Sequence, residues 1–375
     1  LTLMGDVSPD IIIDFSIENP DIAIVSVQSL NANELQQAAL SGDNSVDIFV
    51  LSAPGSFAAM RKKGYIASLN GNETLTADAK TLYPTIQEVI FDGDTLIGYP
   101  ISINPQAWTV NETQWNNLGL GEYPTTYDEL FEKIALWLDV YADDYPEYTL
   151  SDMQQMGTDN LVSSIVEAYI AQMESQKEQV TFDTADFRAI LQSVSDHLDL
   201  IAEDHDQWGM ALLSSYNMGF GTSYADQDMM RMLIPPTAKA DEVRSLIANA
   251  NILSVNAASK QIDEATKFIE YYAAHLPDVT RYMLHPDLND PIESATYKSR
   301  VATLQEELKA LETRLEDADD NKKYEIEEEI VQKQLTIEYV SENKWDISPE
   351  SIDTFRAIAQ NIYIPYQSVL LSKGS

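Results

Sequence analysis

The stretch that begins at the turn signature Asp92-Gly93-Asp94 contains four structural signals in immediate succession. The signature lies between apolar runs, which is typical of a tight β-hairpin turn. The next β-prone run, Leu96–Ile101, contains a proline, so we do not expect it in the middle of a sheet. A second β-prone run covers residues 108–111, and Thr126 with Glu129 then forms a capping box that starts a helix. Together these signals predict a crossing from one lobe of the molecule to another.

Length, composition and net charge limit the classes of protein to which the chain can belong. The chain has 375 residues, a length that favours two domains, and it lacks any apolar run long enough to span a membrane. It contains no cysteine, which excludes disulfides and thiolate chemistry. Its net charge of −38 argues against nucleic acid and anionic lipid surfaces as partners. The acidity is expected mainly to reflect a solvated surface, and it leaves room for a cationic ligand.

The first 52 residues predict alternating strands and helices. Strands are expected at Leu1–Met4, Ile22–Val27 and Val46–Leu51, with a helix capped by Ser8 and a second helix at residues 33–40. The third strand is almost continuously apolar, as in parallel sheets that are buried on both faces. The side chains that directly follow it lie where open α/β sheets bind ligands. These are Ser52, Ser56 and Phe57.

Later segments are mostly helical. Residues 127–145 carry one apolar face that includes Trp137, which we assign to the core. Residues 159–176, 185–203, 261–274 and 349–359 also predict helices, and short strands are expected at residues 210–213, 231–234 and 252–255.

Residues 296–344 predict an αα-hairpin. A heptad-like seam runs along the first helix and continues on a second one. The seam residues are Val301, Leu304, Leu308, Leu311 and Leu315, followed by Ile326, Ile330 and Leu335. Acidic residues at the joint, from Asp317 to Glu328, have EF-hand-like spacing, but Lys322 occupies the glycine position, so we expect no calcium site.

Four segments in order resemble the extracellular solute-binding proteins of bacterial ATP-binding-cassette importers, most closely those for sugars and oligosaccharides. The segments are Asn19-Pro20-Asp21-Ile22; Asp47-Ile48-Phe49-Val50 with Gly64–Leu69; Asp92-Gly93 through Gly98-Tyr99-Pro100, Val110-Asn111 and Pro124–Leu130; and Ile252–Val255 with Ser259-Lys260 and Lys267-Phe268-Ile269. They cover most of residues 1–275. Relatives usually have a tyrosine where Val110 lies, and the hairpin is longer and more acidic than expected for the family.

The resemblance implies an α/β fold of the periplasmic-binding-protein type II, with two lobes joined by crossing hinge strands and a helical hairpin insertion. We expect residues 1–108 and 245–295 in lobe 1, residues 109–244 and 345–375 in lobe 2, and residues 296–344 in the insertion. The resemblance also implies a lipoprotein at the outer face of a bacterial membrane, and we expect it to be a monomer. It would trap a solute by hinge closure and deliver it to a membrane permease.

Sugar recognition needs aromatic faces and short polar groups. Besides Ser52, Ser56 and Phe57, we expect ligand contacts from Trp108, near the crossing, and from Ser102 and Asn104 before it. The glycine-dotted segment adds Trp208 and Tyr216, since loops concentrate binding residues, and the last segment adds Tyr366. None of the four histidines has paired zinc spacing, so neither a metal nor a cofactor is expected.

The leading hypothesis is therefore a non-enzymatic binding protein for a small polar solute, with a carbohydrate as the expected ligand. Two alternatives remain open at this point. One is a secreted glycosidase or polysaccharide lyase. The other is an interaction protein that uses the acidic hairpin as a docking surface.

Overall fold

The computed structural model describes residues 1–27, 45–155, 157–200, 209–215, 222–225, 228–237, 244–316, 318, 320–342 and 344–365. The expected helix at residues 33–40 lies outside these ranges, as do Trp208, Tyr216 and Tyr366. The chain separates into two compact units. One contains residues 1–288 with the segment from Thr354 onward, and the other contains residues 289–353.

The first part of the chain builds a sheet around a buried core. Its elements are β1 (Thr2–Met4), α1 (Pro9–Glu18), β2 (Val25–Val27), β3 (Ile48–Ala53), α2 (Ser56–Lys62), α3 (Glu73–Ala79), α4 (Pro84–Ile90), β4 (Phe91–Asp92), β5 (Thr95–Leu96) and β6 (Tyr99–Pro105). β1 pairs in parallel with β2 and β3, as the apolar runs predict. β4 and β5 form the predicted hairpin across a two-residue turn, in which Gly93 adopts a positive φ of 61°.

The second part builds a separate five-stranded sheet. Its elements are β7 (Trp108–Asn111), α5 (Glu112–Asn117), α6 (Tyr127–Val140), β8 (Tyr148–Ser151), α7 (Thr158–Ser175), α8 (Ala185–Asp196), β9 (Met210–Ser214), β10 (Thr222–Ala225) and β11 (Asp228–Leu233). The strand order is β10-β11-β7-β9-β8. The predicted capping box is present, since the Glu129 amide donates to Thr126 Oγ1 at 3.2 Å and the Thr126 amide donates to the Glu129 carboxylate at 3.3 Å. Trp137 is 1% exposed in the core, as predicted.

The chain then returns to the first sheet. Its remaining elements in this unit are β12 (Leu246–Val255), α9 (Ile262–Ala274) and α10 (Asp278–Leu284). β12 pairs antiparallel with both β3 and β6, so this sheet is mixed rather than parallel throughout. β6 pairs with β12 alone among the described strands, which agrees with the edge position expected from Pro100. Each sheet has its own hydrophobic core, and together they form the two lobes.

Two residues of the resemblance, Asp47 and Ser259, have a structural role at the base of the first sheet. The carboxylate of Asp47, which is buried, accepts hydrogen bonds from the Thr2 amide at 2.8 Å and from the Ser259 hydroxyl. The Asn256 side-chain amide donates to the carbonyl of Val46 at 2.8 Å. These bonds connect the starts of β1 and β3 with the end of β12, and they account for an aspartate, an asparagine and a serine at these positions.

The second unit is a helical hairpin closed by a small ribbon. It contains β13 (Ile292–Glu293), α11 (Tyr297–Glu316), α12 (Asp320–Glu342) and β14 (Trp345–Ile347), with β13 and β14 antiparallel. The αα-hairpin is therefore confirmed. The prediction that Leu335 belongs to the seam is wrong, because its side chain is 52% exposed. A step of five residues from Ile330 rotates Leu335 off the seam, which continues instead through the buried Val340.

The last described elements are α13 (Pro349–Ala359) and β15 (Ile362–Tyr363), and β15 pairs in parallel with β12. From the resemblance, residues 345–375 are expected in the second lobe. In the structure, the buried side chains of Phe355, Ile358, Ala359, Ile362 and Ile364 belong to the first core. The physical reason is Arg356. Its guanidinium donates to the carbonyls of Tyr282 at 2.9 Å, His285 at 2.9 Å and Leu288 at 2.6 Å, beside the end of α10.

Candidate functional site

The two lobes are joined by two neighbouring connections. β6 of the first sheet continues into β7 of the second through residues 106–107, as expected for the first crossing. β11 of the second sheet continues into β12 of the first through residues 234–245. The connections run side by side, because Trp108 pairs with Leu233 in one sheet and Pro105 pairs with Ala248 in the other. Two such adjacent strands form a hinge between lobes.

One face of the first sheet carries a set of short polar side chains next to this hinge. Asn251 lies opposite Ser52 on β3 and opposite Ser102 on β6. Asn249, two residues earlier on β12, lies opposite Asn104 on β6. Residues two apart in a strand, and residues directly opposite each other, share a sheet face. We call Ser52, Ser102, Asn104, Asn249 and Asn251 the polar row.

Alternation along the strands separates the polar row from the core. Ser102 is half-buried and the other four members are exposed. The intervening residues Ile103, Ala248 and Ala250 are buried in the first core. The row therefore presents hydroxyls and primary amides, which both donate and accept hydrogen bonds, to whatever lies over this face.

The polar row leads into a cavity at the hinge. The Gln106 amide donates to the Ile247 carbonyl at 2.7 Å, and each of these residues continues the face of the row by one alternation. Both line a cavity of about 90 Å³. Its other lining residues are Trp108, Tyr127, Met153, Ser164, Glu167, Ala168, Ser215, Pro235 and Ser245. Small-molecule sites usually have roughly 300–1,000 Å³, so this cavity can form only the inner end of one.

The electrostatics of the cavity disfavour an anion. Among the described residues, Glu167 is the single formally charged side chain in the lining, and the remaining polar groups are neutral. Tyr127 is 4% exposed, and burial raises the pKa of its phenol, so the hydroxyl stays protonated at ordinary pH. The arrangement suits a neutral polyhydroxylated molecule or a cation.

Asp152 lies behind the cavity wall and positions Ser215. One carboxylate oxygen accepts hydrogen bonds from the Ser215 amide at 2.7 Å and from its hydroxyl at 2.8 Å. The other oxygen, Oδ1, is buried and has no hydrogen-bond partner within the described part of the chain. Burial raises the pKa of Asp152, while the hydrogen bonds from Ser215 act in the opposite direction.

The structure places some of the sequence-predicted site residues at the polar row or the cavity and others in the core. Ser52, Ser102 and Asn104 come together in the polar row, and Trp108 lines the cavity although it is only 5% exposed. Phe57 is 0% exposed in the first core, so its ring is not available to a ligand in this conformation.

Ser56 has a structural role instead. It is buried, and its hydroxyl accepts a hydrogen bond from the Ser52 amide at 3.0 Å, which fixes the turn after β3. Trp208, Tyr216 and Tyr366 lie outside the described residues.

Asn249 and Asn251 were missed because the apolar run predicts that strand only from Ile252 onward. The alternation in Ala248-Asn249-Ala250-Asn251 is the signal that could have revealed them, since it has the period of a half-buried strand. Gln106, Tyr127, Glu167 and Ser215 were also missed. They come from separate segments that only the tertiary fold brings together.

Three solved structures with similar folds are sugar-related proteins from bacteria. One, from work on xylan utilization by Caldanaerobius polysaccharolyticus, has a TM-score of 0.52 and 19% identity, over 76% of this chain and 80% of that chain. Maltose-bound MalE3 from T. maritima has a TM-score of 0.51 and 11% identity, over 96% and 98%. A Bacillus licheniformis sugar transporter in complex with stachyose has a TM-score of 0.50 and 16% identity, over 75% and 79%. At these identities the similarity shows the two-lobed fold.

Sequence comparison identifies the family. No curated protein matches the sequence significantly. Within the described residues, no helix is both long and apolar enough to cross a bilayer. The profile of one family, however, matches residues 6–275, well over half of the chain. The chain belongs to the bacterial extracellular solute-binding proteins.

Proposed function

We propose that this protein is the substrate-binding component of an ATP-binding-cassette importer and that it captures a sugar or oligosaccharide between its lobes. The observation that carries the proposal is the continuity of the polar row with the hinge cavity. Amides and hydroxyls that both donate and accept hydrogen bonds complement the hydroxyls of a sugar. The lack of a cation among the described cavity residues fits a neutral solute better than an anionic one.

The mechanism is hinge closure. The polar row belongs to the first lobe, whereas Tyr127, Glu167 and Ser215 belong to the second, so a ligand that bridges them contacts both lobes. Such a ligand stabilises the closed state by its extra contacts there and shifts the population toward it. The ligand would then be passed to a membrane permease. The remaining parts of the proposal are a monomeric state and a lipid anchor at the outer face of a bacterial membrane.

The test is a ligand screen by thermal shift, followed by isothermal titration calorimetry on the hits. The panel contains neutral oligosaccharides, amino acids and polyamines. A sugar at about 100 times its Kd should stabilise the fold by about 2.7 kcal/mol and raise Tm by several degrees. Stabilisation by polyamines alone would show that the solute is a cation rather than a sugar. No stabilisation by any small solute would contradict the proposal.

Site variants test whether a ligand found in the screen binds at the polar row. Asn249→Ala/Asn251→Ala should weaken sugar binding by at least about tenfold, since two hydrogen-bonding amides are lost. The matched control is Asn116→Ala/Asn117→Ala, which removes two exposed amides at the end of α5 and should leave affinity unchanged. Equal affinity in both double variants would place the site elsewhere.

A reducing-end assay with the same oligosaccharides separates binding from hydrolysis or lyase chemistry. We expect the sugar to be recovered intact after incubation with stoichiometric protein. Release of new reducing ends, abolished by heat inactivation, would instead support the enzyme alternative.

A further inference from the structure

Helix α12 of the hairpin has two apolar faces. The inner face packs on α11 through Ile326, Ile330 and Ile337, which are buried or half-buried. Lys333 lies on the same face, and its ammonium is 2.7 Å from the Glu307 carboxylate of α11. This face closes the hairpin and needs no further partner.

The outer face carries large apolar side chains in solvent. Tyr324 is 68% exposed, Val331 50% and Leu335 52%. At about 100° of rotation per residue, the three fall within a narrow arc on the side of α12 opposite Ile326 and Ile330. Their spacings of seven and four residues are those of the contact positions of a coiled coil. The outer face therefore has the pattern of a helix-binding stripe, and its side chains are exposed rather than covered by a helix of the described chain.

Carboxylates flank this stripe. Glu328 and Glu338 border the arc, one on each side, and Glu325 and Glu327 lie farther from it on the same two sides. No ion pair links any of these four to a described residue, whereas Glu329, closer to the inner face, is 3.4 Å from Arg314 of α11. The outer stripe is thus both apolar and negatively charged.

The charge pattern disfavours a second copy as the occupant. An antiparallel pair centred on Val331 would place Glu338 of one helix against Tyr324 of the other, and Glu327 against Leu335. A parallel pair would place Glu328 against Glu328. Either arrangement desolvates carboxylates without a cation, which is unfavourable.

We propose that the outer face of α12 docks an amphipathic helix of a partner protein whose apolar stripe is flanked by lysine or arginine. The apolar side chains would fill the stripe, and the basic side chains would pair with Glu325, Glu327, Glu328 and Glu338. This surface belongs to the hairpin unit and does not depend on the proposed sugar site.

The probe is a fluorescent amphipathic peptide of leucine and lysine, about 18 residues or five helical turns long. Its binding to the full chain is measured by fluorescence anisotropy at low and high salt. Val331→Gln/Leu335→Gln should weaken binding at least about tenfold. Circular dichroism should show unchanged helicity, because these side chains project outward.

The matched control is Leu136→Gln/Val140→Gln on α6. It replaces the same two residue types at the same spacing, and each of the two side chains is 51% exposed. This control should bind the peptide like the unmodified chain. Equal weakening in both double variants would show that the peptide responds to general surface properties, and would overturn the proposal.

Two further arms distinguish the occupant. Glu327→Gln/Glu328→Gln should also weaken binding and reduce its salt dependence, and a peptide with glutamate in place of lysine should not bind. Sedimentation equilibrium of the full chain tests self-association. A dimer that Val331→Gln/Leu335→Gln dissociates would identify a second copy as the occupant and would overturn the basic-helix proposal.

Discussion

Asn104 of β6 lies directly opposite Asn249 of β12, with both side chains exposed on one face of the first sheet. A single sugar ring over this pair could receive hydrogen bonds from both. Asn104→Ala and Asn249→Ala should each lower sugar affinity about three- to tenfold, the value of one neutral hydrogen bond. Calorimetry measures the loss, and a double-mutant cycle measures the coupling. Unfolding midpoints without ligand should not change, and a drop there would indicate a structural role.

The buried carboxyl group of Asp152 should make the free energy of unfolding depend on pH. Burial raises its pKa in the folded protein, so the native state holds the proton more tightly than the unfolded chain does. Between the ordinary value of about 4 and the raised native value, the free energy of unfolding should fall as pH rises. Asp152→Asn keeps an acceptor oxygen for Ser215 but cannot ionise, so it should lack this decline.

Urea denaturation across that pH range provides the measurement. Asp139→Asn, on the exposed side of α6, is the control for removing one charge from an acidic surface. If the difference between Asp152→Asn and the parent chain did not vary with pH, the buried carboxylate would not be the cause.

The Glu112–Arg231 ion pair should stabilise the second lobe. Glu112 is 7% exposed, Arg231 Nη2 donates to its Oε2 at 3.0 Å, and the Tyr123 hydroxyl donates to its Oε1 at 2.9 Å. Arg231→Met leaves this carboxylate without its cation and should lower the free energy of unfolding by about 2 kcal/mol. Arg188→Met is the control, because its ion pair with Asp183 is exposed and should contribute less than about 1 kcal/mol. Equal losses in chemical denaturation would contradict this account.

Gly98 is required by close packing before β6. A Cβ there would lie 2.6 Å from Ile252 Cγ2 and 2.7 Å from Ser254 Oγ, both in buried residues. Gly98→Ala should therefore lower the free energy of unfolding by about 1–3 kcal/mol. Gly71→Ala, where a Cβ meets nothing within 4 Å, should change it by less than about 1 kcal/mol. Thermal unfolding measures both, and equal midpoints would show that the strand shifts to accommodate the methyl group.

Local signals in the sequence predicted individual elements well. The capping box at Thr126, the core position of Trp137 and the hairpin turn at Gly93 depend on neighbours within a few residues, and the structure confirms them. The register of β12 against β3 and β6 depends on residues far apart in the chain. The sequence pattern therefore proposed Ser52, Ser102 and Asn104 separately, but not the asparagines of β12 that lie opposite them.

The placement of the C-terminal segment was wrong for a similar reason. The apolar face of α13 shows that the helix packs on something, but it does not specify which core. That choice depends on Arg356 and the carbonyl groups of Tyr282, His285 and Leu288, a contact between distant segments. A cation that binds several carbonyl oxygens has no signature in the local sequence.

The parallel pairing of β15 with β12 determines where the molecule can bend. Leu246 and Ile247 pair with Ile362 and Tyr363, and the Leu246 amide also donates to the Asn361 carbonyl at 2.8 Å. Twisting β12 at these residues would break main-chain hydrogen bonds on that side. Rotation between the lobes should therefore take place outside this paired region, in the connection that precedes Leu246 and, since the Gln106 amide is itself bonded to the Ile247 carbonyl, at Ala107 in the other connection. The C-terminal strand would then limit how much of β12 can take part in domain rotation.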